Sequence, residues 1–186
     1  MNPSHHAAVT SRLQPGIQVA MAALLLILSI WPAAVTAQWQ INEQPERFAE
    51  SRGAIAETTN EAGHRLAIYR DAGGTIHARF SLNDRLLRLH ELVCPTFQVD
   101  ERQRHNSSLN KRTCQLRPQQ VEYTLGLLET NDELVSRPLY EVMNGTRIHY
   151  RYRFEAGGYD QTSFSLDGSK RALVNIFGAD IEVLPR

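Results

Sequence analysis

The sequence predicts a mainly β chain, a β-sandwich or curled antiparallel sheet with two short helices. Three observations predict it. Apolar and polar residues alternate through residues 75–82 and 147–155, the mark of half-buried strands. Glycine pairs stand at 73–74 and 157–158 between apolar runs, where hairpins need positive φ. Helical spacing is confined to two short stretches with cap and stop residues.

Composition narrows the function classes. A chain of 186 residues with 42% hydrophobic side chains folds as one ordinary domain and is too apolar to be disordered. Twenty basic and 20 acidic residues give a formal net charge of +0, which argues against generic nucleic-acid binding. That needs a surplus of Lys and Arg to displace counterions.

Residues 1–16 are polar and carry Arg12, and residues 17–31 are mostly apolar. Pro32, Ala33, Ala34, Val35, Thr36 and Ala37 follow, with Val35 and Ala37 at the small-residue positions that signal peptidase reads. This pattern predicts a secretory signal peptide over residues 1–37, cut after Ala37. A retained anchor is the alternative, but a spanning helix needs ~20 apolar residues. No cysteine lies near the cut, which excludes lipoprotein processing. What remains, roughly 150 residues, is enough to bury a core without a metal.

Residues 38–53 form a polar lead-in of uncertain structure, with Trp39 and Phe48 its large apolar groups, and a single mainly β domain is expected over 54–186. Ala54–Thr59 reads as a strand and Asn60-Glu61-Ala62-Gly63 as a turn. Residues 65–71 and 75–82 flank Ala72-Gly73-Gly74. A three-residue loop there sets Leu66 against Phe80 and Ile68 against Ala78, all on one face. Residues 85–93 fit a helix slightly better than a strand. Phe97–Val99 reads as a strand, residues 100–113 as a polar exposed loop, and Val121–Leu127 as a strand. Ser136 caps a helix to Asn144 that tolerates Pro138 in its first turn and stops at Gly145.

In residues 147–155, Ile148, Tyr150, Tyr152 and Phe154 share one face, and Arg147, His149, Arg151 and Arg153 the other. The return strand, 160–167, carries Thr162, Phe164 and Leu166 on its apolar side. Matching faces requires an odd loop, most simply Gly157-Gly158-Tyr159, which pairs Tyr152 with Phe164. Ser169 then caps a helix ended by Gly178, with a last strand over residues 181–184.

The basic face is the candidate binding site. Its residues repeat every two positions, so they form a row about 20 Å long. Outward neighbours Gln161, Ser163 and Ser165 offer no carboxylate. The row suits an anionic envelope component or an acidic protein face; the alternative is a solvated strand face. Cys94 and Cys114 make an even pair, most simply one structural disulfide stabilising by roughly 3 kcal/mol. A redox pair is the alternative, against which stands the absence of Cys-x-x-Cys. The histidines show no zinc spacing, and no Gly-x-Ser-x-Gly elbow is present. No catalytic residue, metal or cofactor is therefore assigned. A small hydrolase using His77 or His149 as base is the rival function.

Several pieces in order resemble the invasion-associated locus B family of bacterial envelope proteins. They are Phe97-Gln98-Val99-Asp100, Cys114, Leu139-Tyr140-Glu141-Val142-Met143-Asn144-Gly145, and Ser163-Phe164-Ser165-Leu166-Asp167-Gly168-Ser169 leading into Ala172-Leu173. The resemblance implies an exported β-sandwich of the cell envelope without established catalytic residues. The expected function is a non-enzymatic binding module of the periplasm, with membrane association compatible but no mature transmembrane segment.

Overall fold

The computed structural model describes residues 38–43, 53–107, 113–128, 133–179 and 181–185. The expected signal peptide and Phe48 lie outside them. Strands run β1 (Gln40–Glu43), β2 (Ala54–Thr59), β3 (Arg65–Arg70), β4 (Thr75–Ser81), β5 (Thr96–Val99), β6 (Cys114–Arg117), β7 (Gln120–Leu127) and β8 (Glu133–Val135). Helix α1 (Arg137–Asn144), strands β9 (Arg147–Arg153) and β10 (Tyr159–Ser165), helix α2 (Ser169–Phe177) and β11 (Glu182–Leu184) follow. Among the described residues one antiparallel sheet has the order β1-β2-β3-β4-β7-β6 and a second has β10-β9-β5. Strands β8 and β11 form a short parallel pair.

The fold class is as the alternation predicts. The two larger sheets meet face to face through aromatic side chains. Phe80 of β4 stacks on Tyr150 of β9 with ring centroids 4.8 Å apart, and Tyr123 of β7 meets Phe97 of β5 edge-on at 5.3 Å. All four rings are buried. Such pairs add specific geometry to the large apolar area they remove from water. The Tyr123 hydroxyl, buried with its ring, donates to the Pro95 carbonyl at 3.0 Å.

The β3–β4 hairpin has the expected register, Leu66 opposite Phe80 and Ile68 opposite Ala78. Gly74 takes φ 88° at the third loop position, the left-handed residue that a three-residue hairpin demands. The β9–β10 hairpin corrects the expected pairing. Tyr152 faces Asp160 and Phe164 faces Ile148. The chain turns two residues earlier, with Phe154 N donating to Gly158 O at 3.2 Å. Gly157, φ 96°, then fills the left-handed third position; the expected loop would have put Tyr159 there. The loop is still odd, so each side chain keeps its predicted face.

Three other expectations change. Part of the lead-in is strand β1, paired antiparallel to β2, and buried Trp39 donates its indole N–H to Ser165 O at 3.2 Å. Residues 85–93 form neither helix nor strand but irregular turns, with Leu89 bridged to Phe154 just past the end of β9. Asp84 and His90 accept backbone N–H groups of Leu86 and Leu92, and such local bonds compete with a helix. Ser169 is not a cap. Its buried hydroxyl donates to Val142 O at 2.8 Å, tying α2 to α1. Ser136 does cap α1, accepting from Leu139 N at 3.2 Å. At Gly145, a Cβ would sit 2.3 Å from the Val99 side chain, so the stop is also a point of close approach.

Candidate functional site

Strand β9 is the middle strand of its sheet, so its outward side chains stand in a field bordered by β10 and β5. Ile148, Tyr150 and Tyr152 are buried, Arg147, His149 and Arg151 exposed, and Arg153 half-buried. Across β10 the neighbours are Ser165, Ser163, Gln161 and Tyr159; across β5 they are Gln98 and Thr96. None carries negative charge. Among the described residues no carboxylate lies within ion-pair distance of Arg147, Arg151 or Arg153.

Arg147 donates to Ser163 Oγ at 3.3 Å. The nearby Asp100 is engaged by the backbone instead, accepting from Arg147 N at 2.9 Å and from the Thr146 hydroxyl at 2.6 Å. The Thr146 bond above all, with those from the backbone, holds the Asp100 carboxyl below its usual range. Asp100 therefore fixes the start of β9 without reaching the guanidinium groups along it.

At its far end the ridge becomes a cleft of about 260 Å³, lined by Thr96, Arg104, Asn106, Arg151, Arg153 and Tyr159, with Cys94 in its wall. The guanidinium carbons of Arg151 and Arg153 lie 4.8 and 5.8 Å from the Tyr159 ring centroid, within cation–π range. Arg153 Nε is buried and has no hydrogen-bond partner among the described residues. A buried donor left unpaired costs about 1–3 kcal/mol, which an anionic oxygen would offset if the Arg153 side chain turns Nε toward the cleft. Guanidinium groups bind phosphate and carboxylate oxygens through parallel N–H bonds. The staple holding this wall is present: Cys94 and Cys114 form a disulfide with Cα atoms 6.3 Å apart.

The histidines named for the rival function sit elsewhere. His77 points away from the aromatic core but is buried. Its Nε2 is 3.0 Å from Asp71 Oδ2 and its Nδ1 3.7 Å from Glu122 Oε1. Both ring nitrogens thus face carboxylates, with no hydroxyl nucleophile at either among the described residues. Tyr69 stacks on His77 at 5.3 Å and donates to Glu122, which also receives Arg79 Nη2 at 2.9 Å. Burial opposes the Glu122 charge, but the bonds from Tyr69 and Arg79 outweigh it and leave the carboxyl below its usual range. His149 is exposed, opposite Ser163 and Gln98, without a carboxylate to orient it among the described residues.

Two features escaped the sequence. Arg104 joins the cleft from an irregular loop, where no periodicity gives direction. His105 meets buried Glu141 at 2.7 Å, and Arg137 donates to the same carboxylate at 2.9 Å. Only the i,i+4 spacing of Arg137 and Glu141 was visible beforehand. No group of His, Cys, Asp and Glu that could hold a metal ion occurs among the described residues. No protein-family model, curated protein or solved structure matches the chain.

Proposed function

We propose that the protein is an exported, non-enzymatic binding module of the bacterial cell envelope that docks an anionic group on the β9 ridge. The observation that carries this reading is the charge pattern of the ridge. His149 and Arg151 have neutral neighbours on both flanking strands, and Arg147 and Arg153 have them on β10, while Asp100 beside Arg147 is held by backbone N–H groups and the Thr146 hydroxyl. The row ends in a cleft where Arg153 Nε lacks an acceptor. Unneutralised cations repel one another, and an oxyanion is the partner that relieves them.

The disulfide suits an oxidising compartment, and no helix among the described residues is long and apolar enough to cross a membrane. The resemblance to the invasion-associated locus B family belongs to the same proposal and supports the envelope setting. Intact mass of the native protein, beginning at Gln38, tests the export signal.

The binding test is a titration with inorganic pyrophosphate, followed through the arginine Nε–H resonances. Arg153 Nε–H is expected to shift, with affinity falling as salt rises. The double variant R151E/R153E removes binding. Arg151→Gln, at an exposed position, weakens binding and keeps the melting profile of the parent. Unchanged affinity in both variants overturns the reading.

A further inference from the structure

We infer that the ridge's anionic partner is the surface of a phospholipid bilayer, entered by the leucines of the 83–93 loop; this rests on the anion-docking reading above. Leu86 is 90% exposed, Leu92 71% and Leu87 39%. Their exposure is built in. Leu86 N donates to Asp84 Oδ1 at 2.7 Å, and Leu92 N to His90 Nδ1 at 3.2 Å. Each of these two leucines therefore sits on a turn closed by a neighbouring side chain.

The loop between them is firmly tied to the fold. Buried Leu89 donates its N–H to Pro118 O at 2.7 Å, His90 N donates to Arg153 O at 2.9 Å, and Glu155 N to Arg88 O at 2.9 Å. A segment this well anchored displays its leucines as part of its native geometry. The same bonds fix where they are displayed. The loop runs from the β6–β7 turn, where Gln119 Nε2 donates to Arg85 O at 2.6 Å, to the end of β9, and Val93 and Cys94, which follow Leu92, line the cleft of Arg104, Arg151 and Arg153.

An exposed leucine next to a cationic cleft, with two more exposed along the same anchored loop, is the chemistry of a peripheral membrane face. Leucines enter the acyl boundary while guanidinium groups take headgroup phosphates. An acidic protein would satisfy the arginines but gives no role to leucines held out on closed turns. A purely apolar partner would leave the arginines unpaired. The loop's own charges, Asp84, Arg85, Arg88 and Glu91, cancel, and Arg88 is paired with Glu155 at 2.6 Å. The electrostatic attraction therefore comes from the ridge.

The test is sedimentation with phosphatidylcholine vesicles, with and without phosphatidylglycerol, using protein that carries the N-terminus it has in the cell. All variants share that N-terminus, so any contribution from it cancels. Binding is expected only with phosphatidylglycerol. Replacing Leu86→Ser and Leu92→Ser together is expected to weaken it about 100-fold, roughly tenfold for each apolar side chain withdrawn. Pyrophosphate affinity should be unchanged by those two substitutions. If pyrophosphate binds but vesicles do not, or if the leucine variant binds vesicles like the parent, the membrane inference falls and anion docking stands. If neither pyrophosphate nor vesicles bind, both fall together.

Discussion

The guanidinium carbon of Arg151 lies 4.8 Å from the centroid of the Tyr159 ring, one strand away, and Arg153 approaches the same ring at 5.8 Å. Tyr159 is itself exposed, so this ring is not core packing. It holds two like charges in place ahead of ligand. Tyr159→Ala is therefore expected to lower pyrophosphate affinity about two- to fivefold, the worth of an exposed cation–π contact. Tyr159→Phe should retain nearly all of it. Calorimetric titration of both variants checks the pair, and equal losses would show that the hydroxyl matters rather than the ring.

The disulfide predicts a coupling between stability and binding. Reducing Cys94–Cys114 releases a loop of sequence separation 20, costing about 3 kcal/mol in the chain-entropy model. A fall of that size in urea-unfolding free energy is expected, with weaker pyrophosphate binding because Cys94 lines the cleft. Undiminished affinity in a folded, reduced protein would separate the staple from the site.

Two serines predict different losses. Ser136 Oγ accepts from Leu139 N at 3.2 Å and donates to Leu125 O at 2.6 Å, so it caps α1 and joins it to β7. Ser136→Ala should cost about 2 kcal/mol, since a cap and a buried bond go together. Ser169→Ala loses only the bond to Val142 O and should cost about 1 kcal/mol. Denaturant midpoints of the two variants rank them directly.

Acid should destabilise the fold. At Glu141 and Glu122 burial raises the carboxyl pKa, yet hydrogen bonds from His105 and Arg137, and from Tyr69 and Arg79, leave both below the ordinary 4.5. The unfolded chain then binds protons more readily than the folded one. The stabilisation is complete above about pH 4.5 and is lost as pH falls through the lower folded values. His64 acts in the same direction, because burial holds its pKa below 6.5. Thermal melts should fall as pH drops below about 6.5 and more steeply below about 4.5. Glu141→Gln should flatten the lower limb; a melt series parallel to that of the parent would remove Glu141 from the account.

Legibility in the sequence followed the strength of local constraint. Residues 147–153 alternate so regularly that both faces of β9 could be assigned before any partner strand was known. The β3–β4 register was legible because the apolar faces exclude an even loop and the three-residue loop ends on Gly74, which supplies the left-handed position. In the β9–β10 hairpin parity alone chose Gly157-Gly158-Tyr159, a loop that ends on a tyrosine, and the chain turns two residues earlier so that Gly157 takes the left-handed slot. In residues 85–93 the leucine spacing fits a helix, but only Leu89 of these leucines is buried, so spacing without burial specifies no element. Arg104 was illegible for another reason. Its place in the cleft follows from the disulfide and the bridge between His105 and Phe97, and neither fixes a side-chain direction in sequence.

The alternation along β9 also limits what kinds of genetic change the protein can absorb. Insertion or deletion of one codon within the strand reverses every residue beyond it. Arg151 and Arg153 would then turn toward Phe80 and Tyr123, and Tyr150 and Tyr152 toward water. Substitutions can erode the ridge one charge at a time, but a single-residue length change removes ridge and core in one step. Across descendants of this chain, β9 should vary in letter and hold constant in length, while the loop at residues 155–157 can lengthen by pairs.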